Sequence, residues 1–137
     1  MRPFSPSLRL AAIACCFYLP CAQAETFVGK VVGIADGDTL TILTASKQQH
    51  RIRLAEIDAP EKHQPFGTRS KQSLSDLCFG KQAQVTPRMI DRYKRIVAQI
   101  KCGGVDVNAE QIGRGMAWVY RRYVRNQVFI SWSTKPK

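Results

Sequence analysis

Short segments of the β type, separated by turn residues, constrain the fold of this chain more than any other feature. The first is rich in Val and Ile and ends at Asp36-Gly37, which is a turn signal. A later one alternates apolar and polar side chains, which is typical of a half-buried strand. The first three segments predict a meander. The predicted strands are residues 27–34, 39–44, 50–57, 82–86, 96–101 and 105–107.

Helical spacing appears between the predicted third and fourth strands. From Thr68 onward the apolar residues Leu74, Leu77 and Cys78 fall on one helical face, and Gly80 is a stop signal. The pattern therefore predicts a short amphipathic helix in this part of the chain.

A second helix is predicted after Asn108, which can act as its N-cap with Gln111 at the third position. Gly115 ends this helix, and residues 116–120 return as an extended segment. Five or six short strands interrupted by helices suit a mainly β fold. The sequence thus predicts a five-stranded Greek-key barrel of the OB type.

Residues 1–24 carry the features of a secretory signal peptide. Arg2 and Arg9 flank the start of an apolar run at residues 10–19, and Ala22-Gln23-Ala24 is a small-residue cleavage signal. The run is too short to span a bilayer. We therefore expect a secreted or periplasmic protein with no stable membrane association after signal cleavage.

The cysteines are consistent with that compartment. Cleavage after Ala24 would leave only Cys78 and Cys102 of the five cysteines. An even number of cysteines in an oxidising compartment favours one disulfide. The alternative is a pair of buried free thiols, because Cys is often simply a core residue.

The charge of the chain indicates a polyanionic partner. The formal net charge is +11, and removal of Arg2 and Arg9 with the signal leaves +9. Such an excess favours nucleic acid or an anionic surface. The sequence shows no amphipathic basic helix of the kind that would indicate membrane docking.

Two acidic motifs are candidates for a metal site. Asp36-Gly37-Asp38 alone is more often a turn, and Lys47 stands where an EF-hand would require Glu. In Asp58-Ala59-Pro60-Glu61, the proline holds Ala59 extended and so makes its carbonyl available. Asp38, Asp58 and the Ala59 carbonyl are three hard oxygen ligands that suit Ca²⁺. The isolated His50 and His63 are interpreted as surface residues and argue against zinc.

Two arginines are candidates for phosphate binding. Arg53 lies on the predicted third strand, five residues before Asp58, and Arg95 begins the strand near Ile96. Either could be an ordinary surface charge. A planar guanidinium can also bind phosphate with two hydrogen bonds, and two cations beside a divalent metal would stabilise pentacoordinate phosphorus.

Together these motifs resemble the staphylococcal nuclease (thermonuclease) family over about residues 27–123. Their order and spacing along the chain are specific to that family. The matching segments are Asp36-Gly37-Asp38-Thr39, residues 53–61, Asp91-Arg92-Tyr93-Lys94-Arg95, Val107-Asn108 and Gly115-Met116-Ala117-Trp118.

The resemblance implies an OB-fold barrel that hydrolyses DNA and RNA with Ca²⁺ and leaves 3′-phosphate ends. It implies that Asp38, Asp58 and the Ala59 carbonyl bind Ca²⁺ directly, and that Asp36 lies in the outer shell of the ion. Arg53 and Arg95 would hold the phosphate, and Glu61 would orient or deprotonate the attacking water. Arg92 and Tyr93 are expected to contact substrate, although Tyr93 could equally pack on an edge strand.

Three positions depart from the family pattern. Ala59 replaces the usual Thr, but the metal would use only its carbonyl. Lys94 replaces the Gly of Tyr-Gly-Arg, which would strain the turn if the position requires positive φ. Residues 124–137 resemble an atypical or truncated tail in place of a long C-terminal helix.

The sequence therefore predicts a signal peptide at residues 1–24, a nuclease OB-fold domain at residues 25–123 and the tail at residues 124–137. We expect a monomeric Ca²⁺-dependent phosphodiesterase. The alternative is a basic OB-fold protein that binds nucleic acid without cutting it, because the tail or Lys94 impairs the site.

Overall fold

The computed structural model describes residue 3 and residues 25–120. The predicted signal peptide and tail lie outside the described residues. Within them, the elements follow the order that the sequence pattern indicates. They are β1 (Phe27–Asp36), β2 (Thr39–Leu43), β3 (Gln49–Leu54), β4 (Ile57–Asp58), α1 (Gly67–Cys78), β5 (Gln82–Ile90), β6 (Ile96–Cys102), β7 (Val105–Asp106), α2 (Val107–Gly113) and β8 (Trp118–Val119).

The main sheet closes into a five-stranded barrel. Its strands lie in the order β3, β2, β1, β5 and β6, and parallel pairing of β3 with β6 joins the two edges. The short strand β7 pairs with β6, while β4 and β8 form a separate two-stranded sheet. The prediction of a mainly β OB-type barrel with two short helices is confirmed.

Alternating side chains of the barrel strands form the core. Leu40 and Ile42 of β2 and Ile52 of β3 are fully buried, whereas Thr41 is half-buried and Arg51 is exposed. Leu74 of α1 packs into the same cluster. Burial of each such side chain contributes about 1.5–3 kcal/mol. The core thus fixes the register of the strands that carry the polar site.

Several boundaries differ from the prediction. The third strand ends at Leu54 because Glu56 adopts a φ of +65°, and Ile57 then begins β4. β5 continues past Thr86 to Ile90 with an irregularity in its pairing, and Val107 belongs to α2 instead of β7.

The predicted cap of the second helix is wrong. Asp106 is the N-cap, and its carboxylate accepts a hydrogen bond from Ala109 N. Asn108 lies on α2 two residues after this cap and is fully buried, and its side chain forms hydrogen bonds with the backbone of Ile100, Ala55 and Ala98. Asp serves as an N-cap as readily as Asn, so the sequence signal could not separate the two.

A disulfide joins Cys78, the last residue of α1, to Cys102 at the end of β6. The two cysteines are 24 residues apart, and closing a loop of this size stabilises the fold by about 3 kcal/mol in the chain-entropy model. The bond ties α1 to the barrel. No helix within the described part of the chain is long and apolar enough to cross a membrane.

Candidate active site

A cleft of about 680 Å³ opens on the barrel wall next to the junction of β3, β5 and β6. The sheet register explains this position, because Val97 of β6 pairs with Arg53 on one side and with Met89 on the other. Its polar lining residues among those described are Arg53, Glu56, Arg88, Asp91, Arg92, Tyr93, Arg95 and Tyr120. The cleft therefore brings together both predicted phosphate-binding arginines.

Arg53 connects the cleft to the acidic motifs. Its Nη1 donates to the carbonyls of Leu54 (2.9 Å) and Ile57 (2.8 Å). Its Nη2 donates to Asp58 Oδ1 at 3.0 Å and lies 3.3 Å from Asp38 Oδ2. The side chain keeps only 19% of its surface exposed. Backbone and carboxylate contacts thus hold the guanidinium in one orientation, which excludes the interpretation of a freely solvated strand charge.

Asp38 is the buried carboxylate of the site. Thr39 donates its hydroxyl to Oδ1, and the N–H of Ala59 donates to Oδ2, each at 2.9 Å. Burial and a hydrogen bond with Asp36 raise the pKa of Asp38 to about 7, although the positive charge of Arg53 opposes the shift. The charge of Asp36 raises the pKa further. The position therefore has an excess of negative charge whenever Asp38 is ionised.

The second acidic residue is more accessible. Asp58 belongs to β4, whose pairing with Trp118 of β8 holds it beside the barrel, and its side chain is 40% exposed. Asp36 ends β1 and accepts a hydrogen bond from Asp38 N at 3.1 Å. Ala59 is buried directly after Asp58. The structure thus brings the predicted ligands Asp36, Asp38, Asp58 and Ala59 to one side of Arg53.

The donor set suits a hard cation. Asp38 and Asp58 both approach the same nitrogen of Arg53, so their oxygens converge on one region. Among residue 3 and residues 25–120, no three His, Cys, Asp or Glu side chains form a group that could hold a metal ion. A cation here would therefore also need carbonyl or water oxygens, which Ca²⁺ accepts readily.

Glu61 is exposed and stands outside the residues that line the cleft. Its position is fixed through its backbone, because its N–H donates to Gln64 Oε1 and its carbonyl accepts from Gln64 N, both at 2.8 Å. The carbonyl also lies where a Cβ on Gly67 would collide with it, so residue 67 must be glycine for this close approach.

Arg95 is oriented by the turn between β5 and β6. Asp91 accepts the Nε of Arg95 at 2.8 Å through Oδ2, and the N–H of Tyr93 and of Arg95 at 2.9 Å through Oδ1. Burial tends to raise the pKa of Asp91, but these hydrogen bonds and the charge of Arg95 hold it below the usual value. An ionised Asp91 therefore fixes the guanidinium at the cleft.

The predicted substrate contacts lie on the same turn. The guanidinium of Arg92 lies 4.9 Å and that of Arg95 lies 5.3 Å from the ring centre of Tyr93. Tyr93 is 62% exposed and is therefore accessible from the cleft. Lys94 has a φ of +61°, so the expected requirement for positive φ is present at this position.

Both histidines lie apart from these residues. His50 is half-buried, with its ring centre 5.6 Å from that of Phe27, and His63 is exposed. Neither contributes to the cleft.

Sequence reasoning missed the ion pair between Arg88 and Glu56 in the cleft, with 3.0 Å between Nη1 and Oε1. It also missed the internal role of Gln111, whose buried amide donates to Gly37 O and accepts from Ser73 Oγ. Gln111 thereby supports the acidic turn from inside the barrel. The sequence signal for this role was a polar residue, Gln111, at a position of α2 where the helical pattern predicts an apolar residue.

The fold and the cleft define a class: a small OB-type barrel that presents paired carboxylates and oriented arginines at an open groove. Residues 51–131 match the sequence profile described as staphylococcal nuclease homologue. The chain belongs to the staphylococcal nuclease family. The resemblance noted in the sequence is therefore confirmed.

Named relatives support the assignment. The chain is 44% identical to an "Uncharacterized endonuclease" of Haemophilus influenzae, over 82% of this chain and 63% of the relative. It is 39% identical to a "Micrococcal nuclease" of Shigella flexneri, over 90% of this chain and 75% of the relative. A third relative, "Protein ParB" of Escherichia coli, is also 39% identical, over 90% and 74%.

The chain thus spans 63% of the length of the Haemophilus relative and about three quarters of the other two. Family membership and the names of these relatives support a nuclease, which is a hydrolase of ester bonds.

Proposed function

We propose that this protein is a Ca²⁺-dependent endonuclease that hydrolyses DNA and RNA and leaves 3′-phosphate ends. The observation that carries the proposal is the position of Arg53, which bridges Asp38 and Asp58 while lining the same cleft as Arg95. Two oriented guanidiniums can stabilise the charge that develops on a phosphodiester during hydrolysis, and a convergent pair of carboxylates can hold a cation beside it.

In the proposed reaction, water attacks phosphorus and the bond to the 5′ oxygen breaks. Charge increases on the phosphate oxygens as the pentacoordinate state forms, and Arg53 and Arg95 stabilise that charge. Because both guanidiniums are already held by protein groups, little reorganisation is needed during the reaction. Glu61 is assigned to orient the water or accept its proton.

The proposed cation site comprises Asp38, Asp58 and the Ala59 carbonyl, with Asp36 further out. Bound Ca²⁺ would supply electrostatic stabilisation of negative charge on phosphate. The chain's own contribution is to hold these oxygens together: Asp38 accepts the N–H of Ala59, and Asp58 is fixed by the β4–β8 pairing.

A matched pair of variants tests the role of Arg53. Arg53→Gln should lower kcat on single-stranded DNA by about 10²–10³, the loss typical for one electrostatic donor at a transition state. Arg51→Gln removes the same charge from an exposed position of the same strand and should leave kcat unchanged. Equal effects of the two substitutions would attribute the loss to overall charge and would contradict the assignment.

We also propose that the protein is a monomer that works in the periplasm or outside the cell. The Cys78–Cys102 disulfide supports an oxidising compartment. Mass spectrometry of the protein purified from its host should find Glu25 as the first residue. A mature chain that retains residues 1–24 would exclude the proposed signal cleavage.

The second candidate is an OB-fold binding module that does not cut nucleic acid. The strained conformation of Lys94 beside Arg95 is the observation that favours it. Saturable, salt-sensitive binding without Ca²⁺-dependent cleavage would select this function.

A further inference from the structure

A third cleft arginine, Arg88, stands apart from the two that the proposed reaction uses. It lies on β5 at the irregularity in the pairing between β5 and β6, where Pro87 opposes Ala98 and Met89 opposes the next residue, Val97. Arg88 is the extra residue of this β-bulge. Bulges redirect side chains and are common beside functional sites. Here the redirected side chain lines the cleft.

A buried carboxylate fixes the Arg88 guanidinium. Nη1 donates to Glu56 Oε1 at 3.0 Å, and the Glu56 side chain is only 3% exposed whereas Arg88 is 36% exposed. One carboxylate oxygen uses only part of the donor capacity of a guanidinium. The arginine is therefore oriented on its buried side and accessible on its cleft side.

Arg88 and Arg53 occupy different places in the cleft. They lie on strands at opposite sides of β6, which places their backbones roughly two strand spacings, or about 10 Å, apart. Their guanidiniums also have separate partners, because Arg53 is held by Asp38 and Asp58. The two side chains are thus suited to different phosphates of one strand.

The charge of the cleft favours a second phosphate. Among the described lining residues, four arginines face two carboxylates, Glu56 and Asp91. Each carboxylate is already paired with one arginine, Arg88 and Arg95 respectively. Arg53 is paired with Asp38 and Asp58, which are not among the described lining residues, so the excess positive charge of the lining comes from Arg92. A polyanionic strand would compensate this charge.

We propose that Arg88 binds a backbone phosphate next to the scissile one, so that the cleft recognises single strands with several consecutive phosphates. The inference rests on the proposed nuclease function, from which it takes the roles of Arg53 and Arg95. It extends that function by naming a residue for strand recognition.

Binding measured in the presence of a chelator tests this role separately from cleavage. The probes are a dinucleotide with one phosphodiester and an octanucleotide of the same base, titrated at several salt concentrations. Arg88→Gln should weaken octanucleotide binding by about tenfold and reduce the salt slope by about 0.7, the value for one phosphate contact on a single strand. Dinucleotide binding should stay unchanged.

Two further variants control for fold and charge. Arg88→Gln leaves Glu56 buried beside a neutral partner and can therefore unfold the protein. The double variant Glu56→Gln/Arg88→Gln keeps the net charge of the wild type, and it should show the same loss of slope. Arg114→Gln removes an exposed arginine that pairs with Glu110 on α2, outside the cleft, and should bind both probes normally.

Folded single or double variants that bind the octanucleotide with wild-type affinity and slope would overturn the inference, and Arg88 would then be only the counter-ion of Glu56. Cleavage of the octanucleotide with Ca²⁺ is measured in parallel. Wild-type protein that binds as described but never cleaves would refute the proposed nuclease function without affecting the binding role of Arg88.

Discussion

Replacement of Lys94 by Gly should stabilise the protein. Lys94 has a φ of +61° in the turn that carries Arg95, and a non-glycine residue in this left-handed region costs about 1–2 kcal/mol. Glycine removes that cost but adds about 0.5–1 kcal/mol of chain entropy to the unfolded state. The expected net gain in the free energy of unfolding is therefore about 0.5–1 kcal/mol.

Urea denaturation and thermal unfolding followed by circular dichroism measure this gain. For a domain of this size, we expect Tm to rise by about 4 °C, with an unchanged m-value. The turn itself should persist, because the backbone hydrogen bond from Lys94 N to Asp91 O (3.0 Å) does not involve the side chain. Arg95 should thus stay fixed by Asp91, and cleavage should change by less than about threefold.

Two other lysines provide matched comparisons. Lys47 has a φ of +65°, so Lys47→Gly should give a similar gain. Lys62 is exposed in a loop and is not among the described residues with positive φ, so Lys62→Gly should leave stability equal or lower. If Lys94→Gly loses stability as Lys62→Gly does, the reasoning from backbone strain is refuted.

Three other predictions concern groups that the structure holds through hydrogen bonds. Gln64→Met removes the acceptor for the Glu61 N–H and should lower kcat about tenfold with KM unchanged. The exposed control Gln72→Met should leave kcat unchanged. A change in KM alone would contradict this positioning role. Asn108→Ala removes the buried side-chain partner of the Ile100 N–H and of the Ala55 carbonyl, whereas the Ala98 carbonyl keeps its hydrogen bond from Ala55 N. The substitution should lower the free energy of unfolding by about 2 kcal/mol or more in urea titrations, and a loss below about 1 kcal/mol would argue against the network. The folded pKa of Asp91 is lowered, so its contribution to stability should be complete above the ordinary value of 3.8 and be lost as the pH falls through the lowered value. An NMR titration that finds the Asp91 carboxyl at or above 3.8 would contradict this direction.

The barrel could be predicted from the sequence because its strands carry the alternation that a two-sided sheet requires. Leu40, Ile42, Ile52 and Leu54 are buried at alternating positions as the pattern indicates. The ends of the strands were harder to predict from the sequence. The break at Glu56 depends on a left-handed backbone angle that a Glu side chain does not signal, since such angles are usual only for Gly and Asn.

The acidic and basic site motifs were also visible in the sequence, because they lie at the ends of predicted strands. The contacts between these motifs were not visible in the sequence. The bridge from Arg53 to Asp38 joins β3 to the turn before β2, and it depends on three-dimensional register. Arg88 is not part of any motif recognised in the sequence. Its position in the cleft depends on a β-bulge, which the periodicity of the sequence does not reveal.

Cleavage of end-labelled single-stranded DNA by the purified protein, with Ca²⁺ or with a calcium chelator, tests the central claim most directly. The account predicts internal cuts that need Ca²⁺ and that leave 3′ ends from which a phosphatase releases phosphate. Cleavage that continues in the chelator, or a folded protein that binds the strand with Ca²⁺ and leaves it intact, would contradict it.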